Sequence, residues 1–181
     1  MVFLYKHIEY ASTEFGIAAH NRVNDEFIPG SVGRVTIGTE IKFTDIMSGN
    51  TIGPYFDGEI CVRKRDMFVG YLNNDEAYEE AFDRDGWYKS GDLGHYDHKG
   101  RIYLKGRLKE AIRIGIEEHY KNLSPEQMEE TILMHQGKIE DVAVVGVTNK
   151  FSTQWPRAYV VLKKGKTATV EDINKFAQGR E

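Results

Sequence analysis

The sequence predicts an α+β fold in two parts, a β-rich segment over residues 1–107 and a smaller α+β segment over residues 108–181. Three observations carry this prediction. Residues 30–65 alternate apolar and polar side chains with the period of two that β-strands show. Two strand-like runs flank a tight turn at residues 97–100, which ends in a glycine. From Ser124 onward, helix-start signals alternate with apolar runs, as is typical of a small α+β domain.

The β-rich segment contains several predicted strands that are joined by turns. Val35 and Ile37 are predicted to point to the same face, and a turn at residues 48–50 closes a hairpin-like unit. Residues 58–63, Gly-Glu-Ile-Cys-Val-Arg, predict the next strand. Asn74 is predicted to cap a short helix, because its side chain can accept a hydrogen bond from the first helical turn.

The second segment alternates helices with strands. Residues 124–127, Ser-Pro-Glu-Gln, form a capping box with proline at the first helical position, and Gly137 is predicted to end this helix. Strands are predicted over residues 142–147 and 158–162, where apolar side chains run continuously. A last helix is predicted over residues 169–179.

Composition limits the classes of function. The chain has 24 lysine and arginine residues against 28 aspartate and glutamate residues, a net charge of −4 that argues against nucleic acid as a partner. Its apolar runs are too short to predict a membrane span. Cys61 is the single cysteine, which excludes internal disulfides and predicts a buried structural thiol in a reducing compartment.

Residues 10–16, Tyr-Ala-Ser-Thr-Glu-Phe-Gly, place two hydroxyls beside a carboxylate. Hydroxyl groups can donate hydrogen bonds to phosphoryl oxygens, and a carboxylate can hold Mg²⁺, which takes few protein ligands. The Ser-Thr-Glu triplet is more often a helix cap, so residues 12–14 alone do not decide for a phosphate or metal site.

Asp92 and Arg107 form a second candidate pair. Asp92 lies in a Ser-Gly-Asp turn and can accept hydrogen bonds from a sugar diol, although ordinary turn chemistry also explains it. Arg107 follows the hairpin, so the two side chains are expected to converge at one end of a sheet, where a guanidinium suits ribose or phosphate. A solvated cation in a basic stretch is the alternative for Arg107. Residues 101–113 carry a local surplus of four positive charges, which favours an anionic ligand over nucleic acid because residues 75–85 carry six acidic residues against Arg84.

A series of short stretches gives the chain a family resemblance. In chain order they are YASTE at 10–14, PGSVGR at 29–34, GEICVR at 58–63, GYLNN at 70–74, DGWYKSGD at 85–92, GRLKE at 106–110 and SPEQME at 124–129. Together they resemble the adenylate-forming superfamily, which includes acyl-CoA synthetases, 4-coumarate–CoA ligases and insect luciferases. The resemblance implies the β-rich end of the large AMP-binding domain, followed by a small, truncated α+β domain.

The resemblance also implies roles for individual residues around a nucleotide. Tyr10 matches the aromatic residue beside the adenine, and Thr13 matches the threonine that contacts phosphate. Asp92 matches the aspartate that holds the ribose hydroxyls, and Arg107 matches the arginine near the same sugar.

Two further residues have matches outside the nucleoside itself. Glu14 matches the Mg²⁺-associated glutamate and is predicted, with Thr13, to be catalytic. Lys109 matches the hinge about which the small domain turns between the two half-reactions.

The implied reaction is the ATP-dependent activation of a carboxylic acid, fatty or aryl, to an acyl adenylate and then to an acyl-CoA. ATP or AMP, Mg²⁺ and CoA are the implied cofactors, and a small-molecule carboxylic acid and CoA are the implied partners. The expected location is intracellular, either cytoplasmic or peroxisomal.

Departures from the family pattern shape these expectations. The family's phosphate loop is expected before residue 1 and its late lysine beyond Glu181, so we expect the 181-residue chain alone not to form acyl adenylates. Arg113 replaces a family lysine, and residues 113–123 are predicted to be an irregular loop, which leaves CoA contacts unassigned.

Two alternatives stay open at this point. The first is a non-catalytic nucleotide-binding or interaction module derived from the family, in which a homo- or hetero-oligomer covers open strand edges. The second is an unrelated β-rich domain with chance matches.

Overall fold

The computed structural model describes residues 8–22, 25–116, 119–135, 137–148 and 154–178. Contacts divide the chain into two compact units, Met1–Lys105 and Gly106–Glu181. The division predicted after residue 107 stays a prediction. The apolar start of the chain, residues 1–10, also predicts a strand, but residues 1–7 lie outside the described residues.

Among the described residues, the first unit is built on one seven-stranded sheet with the order β1-β2-β3-β7-β6-β5-β4. Its strands are β1 Glu9–Ser12, β2 Gly16–His20, β3 Ser31–Val35, β4 Thr39–Thr44, β5 Gly58–Lys64, β6 Tyr88–Tyr96 and β7 Arg101–Arg107. Neighbours β1–β2, β2–β3, β3–β7, β4–β5 and β5–β6 pair antiparallel. The strands predicted over residues 30–65 are therefore confirmed.

The sheet is strongly curled around one apolar core. Every strand contributes buried residues to this core, which contains Tyr10, Phe15, Ala18, Ala19, Val32, Phe43, Ile60, Val62, Tyr88 and Ile102. A flat sheet would separate β2 from β5, which are four places apart in the strand order, by about 19 Å, at roughly 4.8 Å per strand. Instead the Lys64 amine donates a hydrogen bond of 3.4 Å to the Ile17 carbonyl, which brings β5 to β2.

The predicted position of Ile37 is wrong. Its side chain is 97% exposed and lies in the turn between β3 and β4, where Thr39 donates its backbone N–H to the Thr36 carbonyl. Gly38 takes a φ of +79° there. The turn interrupts the alternation of apolar residues, so Ile37 does not continue the pattern of Val35.

Two local predictions in the first unit are confirmed. Helix α1 spans Asp75–Glu80, and the Asn74 side chain accepts a hydrogen bond of 3.1 Å from the Ala77 backbone N–H. The turn between β6 and β7 closes with a hydrogen bond of 2.9 Å from the Gly100 N–H to the Asp97 carbonyl.

In its described residues, the second unit combines two antiparallel hairpins with two helices. Its elements are β8 Ile112–Ile116, β9 His119–Leu123, α2 Pro125–Leu133, β10 Ile139–Thr148, β11 Gln154–Leu162 and α3 Val170–Gln178. β8 pairs with β9 and β10 pairs with β11. The small core contains Ile112, Ile132, Ile139, Val142 and Val144.

The predicted start of α2 is confirmed, but its predicted end is not. Ser124 accepts a hydrogen bond of 3.3 Å from the Gln127 N–H, with Pro125 at the first helical position. The helix ends at Leu133, and Gly137 instead takes a φ of +64° in the turn before β10. The last helix begins as predicted, and its predicted end at residue 179 lies outside the described residues.

The irregular loop predicted over residues 113–123 is wrong, because most of this stretch forms the β8–β9 hairpin. Its register pairs Ile112 with Leu123 and Ile114 with Lys121. Isoleucines at 112, 114 and 116 alternate with Arg113 and Gly115, the period of two that a strand requires.

Candidate nucleotide site

The turn between β1 and β2, at residues 13–15, forms one part of the site. The Ser12 hydroxyl oxygen accepts hydrogen bonds from the backbone N–H groups of Glu14 at 3.2 Å and Phe15 at 3.3 Å. A strand and not a helix follows, so the helix-cap alternative is wrong. Phe15 is buried in the core and anchors the turn to it. Thr13, in the same turn, is exposed.

Glu14 is half-buried and is held by its neighbours. The Tyr71 hydroxyl donates to Glu14 Oε1 at 3.1 Å, and the Phe68 N–H donates to the Glu14 carbonyl at 2.8 Å. Burial raises the pKa of Glu14, but hydrogen bonds from its own N–H, Ser12, Tyr71 and Tyr88 outweigh it and set the pKa below the ordinary 4.5. The carboxylate is therefore charged at neutral pH.

A charged, partly accessible carboxylate fits a Mg²⁺ ion that is shared with a nucleotide. Mg²⁺ is commonly bound through one or two carboxylates together with substrate phosphates and water. In the part of the chain that the structure describes, no group of three or more His, Cys, Asp or Glu residues could hold a metal ion.

Asp92 lies inside β6 and not in the turn that the sequence predicts. The pairing of β5 with β6 places residues 90–92 opposite the single residue Ile60. Gly91 takes a φ of +69° in this bulge, a conformation that favours glycine. Ser90 donates its hydroxyl to the Ile60 carbonyl at 2.7 Å and accepts from the Asp92 N–H at 3.0 Å, so the bulge is held on both sides.

The structure brings Tyr10 and Asp92 together. The Tyr10 hydroxyl donates to Asp92 Oδ2 at 2.7 Å. The Tyr10 ring is 5% exposed and packs 5.3 Å from the Phe15 ring, measured between centroids. The Tyr88 ring also packs against Phe15, with 5.8 Å between the ring centroids. Through Phe15, these aromatic contacts link Tyr10, which bonds to Asp92, to the turn that carries Thr13 and Glu14.

Sequence reasoning missed Glu59, which lies beneath the bulge. The Gly91 N–H donates to Glu59 Oε1 at 3.2 Å. Burial raises the pKa of Glu59 and the charge of Asp92 raises it further, against the opposing effects of the Gly91 N–H and Lys89. The available signal was a charged residue at the start of the apolar run 60–62.

Arg107 and Lys109 belong to the second unit. Arg107 is the exposed last residue of β7, and its carbonyl accepts hydrogen bonds from the N–H groups of Glu110 and Ala111. Lys109 is exposed within the resulting turn. The predicted convergence of Arg107 with Asp92 and the predicted hinge at Lys109 stay predictions.

The family comparison matches residues 127–180 to the C-terminal domain of AMP-binding enzymes. The chain is 37% identical over 151 residues to 4-coumarate–CoA ligase 1 of Glycine max, covering 82% of this chain and 49% of the relative. It is 36% identical over 154 residues to luciferin 4-monooxygenase of Luciola mingrelica, covering 84% of this chain and 27% of the relative. The chain thus spans half or less of the length of these relatives.

Solved structures give the same result. ATP-bound MatB from Rhodopseudomonas palustris matches with a TM-score of 0.83 and 28% identity, over 96% of this chain and 33% of that one. O-succinylbenzoate coenzyme A synthetase from Bacillus subtilis, in complex with AMP, matches with a TM-score of 0.79 and 28% identity, over 96% and 34%. These findings confirm the resemblance to the adenylate-forming superfamily and its mixed, sheet-rich fold. Within the described ranges, no helix has the length and apolar content to cross a membrane.

Proposed function

Since the chain resembles adenylate-forming acid–CoA ligases over most of its length, we propose that it supplies one wall of the nucleotide site of such an enzyme. In that reaction a carboxylate oxygen bonds to the α-phosphorus of ATP as the bond to pyrophosphate breaks. The thiol of CoA then bonds to the acyl carbon, and AMP leaves. The observation that carries the proposal is the 2.7 Å hydrogen bond from Tyr10 to Asp92, beside the turn at residues 13–15.

Asp92 is the proposed acceptor for the ribose diol. A carboxylate has two oxygens and about four acceptor positions, so the bond from Tyr10 leaves positions for two sugar hydroxyls. The Tyr10 bond and the bulge at residues 90–92 fix the orientation of this carboxylate before a ligand arrives. Such preorganisation lowers the entropic cost of binding.

The turn at residues 13–15 is the proposed phosphate end of the site. Thr13 offers an exposed hydroxyl that can donate to a phosphate oxygen. Glu14 would hold Mg²⁺, which supplies positive charge to the phosphates when it is bound. The role of this chain's own residues is to position the nucleotide, the main source of catalysis in phosphate transfer.

The remaining assignments rest on the resemblance. Arg107 is proposed to approach the same sugar, and Lys109 to lie at the hinge of a small domain that begins near residue 108. A fatty or aryl acid and CoA are the proposed substrates. The single cysteine, Cys61, is consistent with a cytoplasmic or peroxisomal location.

The test is calorimetric titration of the 181-residue chain with AMP and with 2′,3′-dideoxy-AMP. We expect the missing hydroxyls to weaken binding at least about 10-fold, because each hydrogen bond to a charged group contributes about 1.5–3 kcal/mol. Asp92→Asn should reduce this difference between the two ligands, whereas the exposed control Asp85→Asn should preserve it.

Equal affinity of the unmodified chain for both nucleotides would contradict the role of Asp92. Acid-dependent exchange of pyrophosphate into ATP by the 181-residue chain would contradict the expectation that it does not form acyl adenylates alone. A homogeneous, concentration-dependent dimer in sedimentation would favour the non-catalytic module, whose open strand edges need a cover.

A further inference from the structure

We propose that Tyr71 is a positioning residue that fixes the Glu14 carboxylate for a divalent cation bound to the nucleotide. This inference rests on the proposed function, because it assumes that Glu14 faces the metal. It assigns a role to residues 70–74, Gly-Tyr-Leu-Asn-Asn, which the nucleotide site does not otherwise use.

Tyr71 makes a hydrogen bond of defined direction to Glu14. Its hydroxyl lies 3.1 Å from Glu14 Oε1 and 3.4 Å from the Tyr88 hydroxyl. Glu14 can only accept, so the single proton of Tyr71 is directed to the carboxylate. Tyr88 also has one hydroxyl proton, which can go to the Tyr71 oxygen or to the Glu14 carboxylate. In either case the buried Tyr88 hydroxyl belongs to the same group of hydrogen bonds around Glu14.

The backbone around Tyr71 is bent so that the side chain reaches Glu14. Asn73 has a φ of +56°, a left-handed conformation that is costly for residues with side chains, and Gly70 has a φ of +150°. The Asn74 N–H donates to the Tyr71 carbonyl at 3.1 Å and closes the turn. These bends are local, while the contact that they permit joins residues 57 positions apart.

A second bond ties the same two segments together. The Phe68 N–H donates to the Glu14 carbonyl at 2.8 Å, so both the backbone and the side chain of Glu14 are held by this segment. The Phe68 ring packs 4.9 Å from the Tyr71 ring and 5.7 Å from the Tyr88 ring. Tyr71 is therefore anchored within an aromatic cluster, which restricts the positions that its hydroxyl can take.

Such an arrangement is what a metal-binding carboxylate requires. Carboxylates that bind metals are themselves held by hydrogen bonds, and loss of these outer partners typically costs about 10–100-fold in metal affinity. Glu14 is only half-buried, so its carboxylate stays accessible to a cation while Tyr71 holds Oε1.

The experiment compares how tightly the 181-residue chain binds Mn²⁺–ATP and metal-free ATP, using Mn²⁺ as the probe and calorimetry as the readout. The ratio of the two affinities isolates the contribution of the metal. We expect Tyr71→Phe to lower this ratio about 10-fold. Tyr78→Phe is the matched control, because its ring packs 5.1 Å from Phe68 in the same aromatic cluster. It should leave the ratio unchanged.

A double-mutant cycle with Glu14→Gln separates positioning from a general structural role. If Tyr71 acts through Glu14, adding Tyr71→Phe to Glu14→Gln should lower the ratio no further. If Tyr71→Phe weakens Mn²⁺–ATP and metal-free ATP equally, or if the two substitutions act additively on the ratio, the positioning proposal is overturned while the metal site stands. If Glu14→Gln leaves the ratio unchanged, the proposed role of Glu14 fails together with that of Tyr71.

Discussion

Replacing Asp97 by asparagine tests what holds the β6–β7 hairpin beside the candidate site. Asp97 is 3% exposed. Its Oδ1 accepts from the N–H groups of Lys99 at 2.8 Å and Arg101 at 2.9 Å. Its Oδ2 accepts from the Arg101 guanidinium Nε at 2.7 Å and from the Tyr103 hydroxyl at 3.3 Å.

The magnitude follows from these four bonds. In Asp97→Asn, the amide oxygen can keep the two backbone donors, but the amide nitrogen then faces two further donors, Arg101 and Tyr103. Loss of a hydrogen bond to a charged group costs about 1.5–3 kcal/mol, and loss of the hydroxyl bond costs about 0.5–1 kcal/mol. We therefore expect the free energy of unfolding to fall by about 2–4 kcal/mol at neutral pH.

The effect should depend on pH in a defined direction. Burial raises the pKa of Asp97, but hydrogen bonds from the Arg101 backbone, the Arg101 guanidinium and the Lys99 backbone outweigh it and set the pKa below the ordinary 3.8. A lowered pKa in the folded state contributes stability above pH 3.8 that is lost as the pH falls through the folded-state value. The difference between the two proteins should be constant near neutral pH and shrink in acid.

Urea denaturation followed by tryptophan fluorescence measures this difference. Of the two tryptophans, Trp87 lies in the first unit and Trp155 in the second, so a Trp155→Phe background reports the first unit alone. Asp66→Asn, at an exposed aspartate, is the matched control and should change stability by less than about 0.5 kcal/mol. A loss below about 1 kcal/mol at pH 7 for Asp97→Asn, or a loss that stays equal at pH 3, would refute the reasoning.

Two further predictions concern other parts of the first unit. Gly33→Ala should lower the free energy of unfolding by more than about 3 kcal/mol in the same assay, because its Cβ would lie 2.1 Å from the His20 backbone. Gly30→Ala, where φ is +79° and no atom lies within 4 Å of the added Cβ, should cost about 1–2 kcal/mol, and equal losses would contradict the steric argument. Cys61 should react with a disulfide reagent more than about 100-fold more slowly in the folded chain than in urea, because burial raises the pKa of its thiol and access requires opening. Rapid reaction without denaturant would count against a structural thiol.

Local hydrogen bonding explains why some elements could be predicted from sequence. Asn74 and Ser124 each accept a bond from an N–H three residues ahead, so the signal and the contact lie in the same short stretch. Ile37 was misplaced because a turn around Gly38 interrupts the alternation. The β8–β9 hairpin could not be predicted because β9, with the sequence His-Tyr-Lys-Asn-Leu, does not alternate apolar and polar side chains.

The sequence predicts only part of the candidate site, because the contacts in this site join residues that are far apart in the chain. Tyr10 and Asp92 are 82 residues apart, and Glu14 and Tyr71 are 57 apart. These contacts depend on how the strands pair and how far the sheet curls, which no local pattern specifies. The family resemblance implies roles for Tyr10, Glu14 and Asp92, but it implies none for Tyr71.

The bulge in β6 has a consequence for how the fold could gain or lose its proposed ligand. Residues 90–92 face the single residue Ile60, so β6 contains two more residues than its partner requires at this point. Side chains alternate along a strand, so removing one residue would exchange the inner and outer faces of everything beyond it. Removing two residues would leave the other side chains of β6 on their present faces, so its buried residues would stay in the core. Only the bulge that carries Asp92 would be lost. The proposed acceptor thus lies in a segment that the pairing of β5 with β6 does not require, and a chain shortened by two residues there should fold around the same interior.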